Sequence, residues 1–121
     1  MAPGELAVGI DIGGTNSVFG FVNRKGKILT SGSIRTASFP RFENFVSVLY
    51  NEIIKTGNKS CKGFKIKGFG IGAPMGNINK GTIEHSACLP WKGIVPLSDV
   101  FHRHTDLPVI ITNDANAAAV G

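Results

Sequence analysis

Acidic residues are scarce in this chain, and so are cysteine, tryptophan and tyrosine. Its 121 residues carry 8 Asp and Glu against 13 Lys and Arg, a formal net charge of +5. Much of the excess gathers at Lys55, Lys59, Lys62, Lys65 and Lys67, with no acidic residue between them. A basic balance can serve anionic ligands or nucleic acid. No arginine cluster or aromatic platform accompanies these lysines, so they read as a solvated surface and no nucleic-acid partner is expected. The two cysteines, Cys61 and Cys88, stand far apart without ligand spacing, which argues against a disulfide framework and a zinc site. His85, His102 and His104 form no metal pattern. Missing too are a charged leader with an apolar core and any apolar run long enough for a membrane helix. These absences set the expectation of a reducing, cytoplasmic setting with no membrane partner.

Two nucleotide signatures also fail. The chain has no Gly-x-x-x-x-Gly-Lys-Ser/Thr, so it is not a P-loop protein. Gly68-x-Gly70-x-x-Ala73 fits the loose dinucleotide fingerprint, but Pro74, Gly76 and Asn77 follow where a helix would have to open.

What is present is glycine, 16 residues of it, and a 42% hydrophobic content sufficient for one modest domain with a core. Leu6, Val8, Ile10 and Ile12 alternate with Ala7, Gly9 and Asp11, the period of a strand with one bulky face and one small face. Ser17 to Val22 reads as a second strand, Asn23-Arg24-Lys25-Gly26 as a turn, and residues 27–34 as a third strand, giving an antiparallel meander. Phe42, Phe45, Val46, Leu49, Ile53 and Ile54 fall at i, i+3, i+4, i+7, i+11 and i+12, an amphipathic helix with Pro40 in its first turn and Gly57-Asn58 at its close. Residues 64–72 form a strand whose alternation slips across Gly68, which a bulge or two-sided burial would explain. Residues 97–104 read as a short helix, and Val109 to Thr112 as a buried parallel strand. A further helix is expected to open at Asn113. The order predicts a mixed α/β sheet with helices packed on it.

Two carboxylates stand at strand ends. In Ile10-Asp11-Ile12-Gly13-Gly14-Thr15-Asn16, Asp11 is followed at once by two glycines, a hydroxyl and an amide. Such a turn can present backbone N–H groups to an anion, and the carboxylate can hold a Mg²⁺ that the phosphate also binds. A plain hairpin turn fits the spacing equally well. Asp114 opens an alanine-rich segment after the last strand. Taken alone, it reads first as a helix N-cap and second as a general base at a sheet's C-terminal edge, with Asn113 beside it able to bind a polyol.

Together, Asp11-Ile-Gly-Gly-Thr-Asn16, Gly70-Ile-Gly-Ala-Pro74, Leu89-Pro-Trp-Lys-Gly93 with Pro96-Leu97, and Asn113-Asp-Ala-Asn-Ala-Ala-Ala119 resemble the ROK family of bacterial sugar kinases, many of them glucokinases, and related repressors. The resemblance runs the length of the chain. It implies a ribonuclease-H-like domain of the actin-like ATPase superfamily, with residues 1–121 as the N-terminal domain of a two-domain sugar kinase. It implies ATP and Mg²⁺ as cofactors, a small-molecule sugar as partner and a homo-oligomer as the complete protein. Asp11, Gly13, Gly14 and Thr15 would form the phosphate loop, with Asp11 helping to hold the metal. Asp114 would be the catalytic base, and Gly76, Asn113 and Asp114 would meet the sugar. The family's C-terminal domain has no counterpart in the chain. Ser86-Ala87-Cys88 stands where many members have Ala-Pro-Asn, a change expected to touch the sugar loop. A non-catalytic, sugar-sensing member of the family is the alternative, although the helix-turn-helix of family repressors has no room in the five residues before the first strand.

Overall fold

The computed structural model describes residues 4–113. Eight strands and two α-helices follow one another in the described residues. A five-stranded sheet is built from β1 (Glu5–Ile12), β2 (Ser17–Val22), β3 (Ile28–Ile34), β4 (Lys65–Gly72) and β8 (Val109–Thr112), in the order β3-β2-β1-β4-β8. The first three strands are the expected antiparallel meander, while β1, β4 and β8 run parallel. A second sheet, β5 (Gly76–Asn77), β6 (Thr82–Glu84) and β7 (Ile94–Val95), is antiparallel. It was not anticipated, because strands of two or three residues carry no periodicity to read.

Alternation in β1 sorts its side chains as expected: Leu6, Val8, Ile10 and Ile12 are buried and Asp11 is exposed. The buried face packs against α1 (Phe42–Ser60), whose stripe buries Phe42, Phe45, Val46, Leu49 and Ile53. Pro40 lies outside this helix, two residues before its first, and Arg41 caps it without a side-chain bond. The helix also passes the expected stop at Gly57-Asn58 and ends at Ser60. Gly57 packs close to the Phe21 ring, where an added Cβ would lie 3.1 Å from two ring carbons, so it serves helix-to-sheet contact. The short helix α2 (Leu97–Phe101) ends earlier than expected, with turns following it.

The slip in β4 has both of the foreseen causes. Leu6 pairs with Ile66 but Ala7 pairs with Gly68, leaving Lys67 as a bulge, and residues 69–72 are then all buried. In β8 only Ile111 is buried, and Ile110 is 39% exposed. The expected full burial fails because β8 pairs only with β4 and is an edge strand among the described residues.

The core cluster extends to Trp91, which packs its indole edge-to-face with Phe42 and at a tilt against Phe45 and donates its Nε1–H to the Phe39 carbonyl at 3.0 Å. Cys61, beyond the end of α1, is buried, and burial pushes its thiol up from the ordinary range; Cys88 is exposed. Thiolate reacts and thiol does not. Under native conditions a thiol reagent should therefore label Cys88 readily and Cys61 only after unfolding. Two rapidly reacting thiols would contradict this packing.

Candidate active site

Parallel strands place their C-terminal ends together, and here those ends carry the residues singled out by the sequence. Asp11 of β1 pairs with Gly72 of β4, which pairs with Thr112 of β8, so the three form one row. Two strand spacings put Asp11 and Thr112 about 10 Å apart. Ligands of open α/β sheets lie beyond this edge. Asp11 has no side chain beside it on the β4 side, since Gly72 is its neighbour there, and on the β2 side it faces half-exposed Val18. On the same face one pleat further in, Gly20, Gly9 and Gly70 carry no side chains, and Ile110 follows them on β8. The carboxylate therefore stands over an open surface, exposed and without an ion-pair partner among the described residues.

Residues 13–16 connect β1 to β2, so the turn is a hairpin connection, and its details also suit an anion. The Gly13 N–H donates to the Asn16 carbonyl at 3.1 Å and closes the loop. The N–H groups of Gly14 and Thr15 donate to nothing among the described residues. Adjacent free N–H groups in a turn make an anion-binding concavity. The glycines are needed for space: a Cβ on Gly13 would lie 2.6 Å from the Asn16 carbonyl oxygen, and one on Gly14 would collide with the Cys88 carbonyl oxygen.

Neighbouring segments hold this turn. The Ala37 N–H, in a 3₁₀ turn over Thr36–Ser38, donates to the Thr15 carbonyl at 3.3 Å. The buried hydroxyls of Ser17 and Thr36 share a 2.5 Å hydrogen bond. Cys88 is set against Gly14 by a loop that Leu89 and Trp91 anchor in the core. The Leu-Pro-Trp segment is thus the support of the turn. The same loop, whose residues 86–88 the family resemblance associates with the sugar, sets the Cys88 carbonyl against Gly14.

Beyond the ends of β4 and β8 lies a cavity of ≈ 430 Å³ lined by Met75, Gly76, Asn77, Ile78, Glu84, Thr112 and Asn113. Gly76 fits closely against β8, for a Cβ there would sit 2.7 Å from the Thr112 carbonyl oxygen. The Ala73 N–H donates to that same carbonyl at 2.9 Å, and the Gly76 N–H to the Ala73 carbonyl at 3.1 Å. Met75 adopts a positive φ of 62° to make this turn. Gly76 and Asn113 therefore line one cavity. Asp114 and the helix expected after it lie outside the described residues.

Glu84 was not foreseen, since a lone acid in a three-residue strand gives no pattern. Its Oε2 accepts from the Thr82 hydroxyl at 2.8 Å and from the Asn77 amide at 3.0 Å. The Thr82 bond first, then the Asn77 bond and the charges of Lys80 and His85, hold its carboxyl below the ordinary range against a desolvation that acts the other way.

No group of three or more His, Cys, Asp or Glu that could hold a metal occurs among the described residues. Mg²⁺ does not need one, because it commonly binds through one or two carboxylates plus phosphate oxygens and water. An unpaired, exposed Asp11 beside free N–H groups fits that habit.

The parallel β1-β4-β8 core, the meander at its flank and a glycine turn at the strand ends define a ribonuclease-H-like domain of the actin-like ATPase superfamily. The chain belongs to the ROK family, whose pattern matches residues 7–121. A glucokinase from Streptomyces coelicolor is 32% identical over 96% of this chain, which covers 35% of that protein. A putative xylose repressor from a Caldicellulosiruptor species is also 32% identical, over 96% of this chain and 29% of its own length. Among solved structures, a ROK family glucokinase from Streptomyces griseus in complex with glucose and AMPPNP superposes with a TM-score of 0.72 at 32% identity, covering 94% of this chain and 35% of that one. The chain thus spans about a third of the length of these relatives. No helix among the described residues is long and apolar enough to cross a membrane.

Proposed function

We propose that the gene product containing this chain is an ATP-dependent hexose kinase of the glucokinase type, and that residues 1–121 form its N-terminal domain. The observation that carries this reading is the row Asp11–Gly72–Thr112 at the ends of three parallel strands, with the Gly13-Gly14 turn at one end and the Gly76–Asn113 cavity at the other. Kinship with glucokinases, one of them solved with glucose and AMPPNP, supports it.

On this reading the free N–H groups of Gly14 and Thr15 receive a terminal phosphate of ATP. Asp11 is the residue that would hold Mg²⁺, which when bound would offset the charge of the phosphate oxygens. Asn113 and the backbone at Gly76 orient the sugar. Asp114 takes the proton from the sugar's primary hydroxyl as that oxygen bonds to the γ-phosphorus, and the bond to the ADP oxygen breaks. Phosphoryl transfer depends chiefly on such positioning and on charge stabilisation. A second surface must close over the phosphates, so residues 1–121 alone are expected to give no turnover.

The xylose-repressor relative supports a second reading, a sugar-sensing protein without catalysis. A coupled assay for ADP release across a hexose panel separates the two. The kinase reading expects hexose-dependent ADP release from the gene product and none from residues 1–121. Hexose binding by calorimetry without ADP release for any hexose would establish the sensing role in its place.

A further inference from the structure

The cavity beside Gly76 and Asn113 holds one acidic side chain among its described lining residues, and that side chain is already oriented. We propose that Glu84 is a sugar-binding residue that selects the hexose: the free oxygen of its carboxylate accepts one ring hydroxyl, fixing the end of the sugar away from the phosphates. This rests on the sugar-kinase reading and adds to it a residue and a rule of substrate choice.

The geometry carries the assignment. Both observed bonds to Glu84, from Thr82 and Asn77, go to Oε2. Its Oε1 accepts nothing among the described residues, and no salt bridge reaches the side chain. One oxygen is therefore used to hold the rotamer while the other is left for a donor, in a cavity of ≈ 430 Å³. Asn77 is itself held, since its Oδ1 accepts the N–H groups of Asn79 and Lys80 at 3.0 and 3.1 Å. The backbone beneath is fixed as well: the Glu84 N–H donates to the Met75 carbonyl at 3.1 Å, tying β6 to the loop that carries Gly76.

An ionised carboxylate is acceptor-only, so its natural partner is a hydroxyl or a protonated amine. It disfavours a sugar bearing a carboxylate or phosphate at that end, through like-charge repulsion. An acylated position there would offer a bulky group with a second acceptor. The chemical class that fits is a neutral hexose with a free hydroxyl at the position Glu84 meets. The bond is charge-assisted and so stronger than a neutral one. The Thr82 and Asn77 bonds that hold the carboxyl below its ordinary range keep this acceptor ionised at neutral pH.

The test uses the gene product that contains this chain, its Glu84→Gln and Glu84→Asp variants, and a panel of hexoses each lacking one ring hydroxyl. Binding is read by calorimetry and turnover by ADP release. Either substitution is expected to weaken the preferred hexose roughly tenfold or more while kcat stays within about threefold. One deoxy-hexose should bind the wild type correspondingly weakly and lose nothing further in Glu84→Gln, the mark of a direct pair. A residue that merely pins the β5–β6 hairpin would lower the melting temperature and affect every hexose alike. Unchanged hexose affinity in both variants, or equal losses across the whole panel, would overturn the assignment of Glu84 while leaving the kinase reading intact. A wild type that binds no hexose would overturn both.

Discussion

Asp114→Asn is expected to lower hexose-dependent turnover of the gene product by roughly 10²–10⁴-fold, the span of a general base, with hexose binding preserved. The expectation follows from position. β8 ends at Thr112, in register with Gly72 and Asp11, and Asn113 already lines the cavity. Asp114 is the next residue along the chain. A carboxamide there can still accept a hydroxyl proton in a hydrogen bond, so sugar binding survives, but it cannot take that proton away. Steady-state kinetics beside calorimetry measures both quantities. Near-normal kcat would remove Asp114 from the chemistry; loss of sugar affinity with kcat retained would make it a binding residue only.

Gly14→Ala is the second large effect. A methyl group at Gly14 would collide with the Cys88 carbonyl oxygen, and that carbonyl belongs to backbone anchored by Leu89 and Trp91. Backbone so held cannot rotate aside as a side chain would. The substitution should destabilise the domain by about 3 kcal/mol, the upper end of the overpacking range, or else displace the turn. Where the turn is displaced, the Gly14 and Thr15 N–H groups leave their places, and the KM for ATP should rise at least about tenfold, as expected when hydrogen bonds to a charged group are lost. Gly20→Ala is the control, because the nearest atom to an added Cβ there is Ile28 Cγ2 at 3.4 Å, close to ordinary contact. Denaturant midpoints and ATP kinetics of the two variants side by side make the comparison. Wild-type values for Gly14→Ala would show that the turn is loosely held and not built around Cys88.

Long elements were legible from the sequence because their burial is periodic. The alternation of Leu6, Val8, Ile10 and Ile12 and the Phe42 to Ile53 stripe both describe the two sides of one interface, which the structure forms. Even the slip in β4 carried information, since Lys67 is the extra residue against Leu6 and Ala7. Other features depend on partners distant in sequence. Gly57 looked like a helix stop and instead makes room for the Phe21 ring. Cys88 contributes its carbonyl, which no side-chain pattern can announce. Glu84 gains its meaning from Thr82 on its own strand and from Asn77 across a strand pair too short to be periodic. Gly13 and Gly14 were read as a means of exposing N–H groups. One of those groups closes the loop, and the missing Cβ atoms spare the chain's own carbonyls.

The central claim is that the Asp11 turn and the Asn113–Asp114 segment are two parts of one phosphoryl-transfer site. Its most direct test follows the phosphoryl group itself. The gene product is incubated with ATP labelled in the γ-phosphate, Mg²⁺ and a hexose, and the label is traced. One labelled hexose phosphate is expected for each ADP formed, at a rate that collapses in Asp114→Asn and in Gly14→Ala. Hexose bound by the wild type with no label transferred to it would show that the two segments do not form a phosphoryl-transfer site.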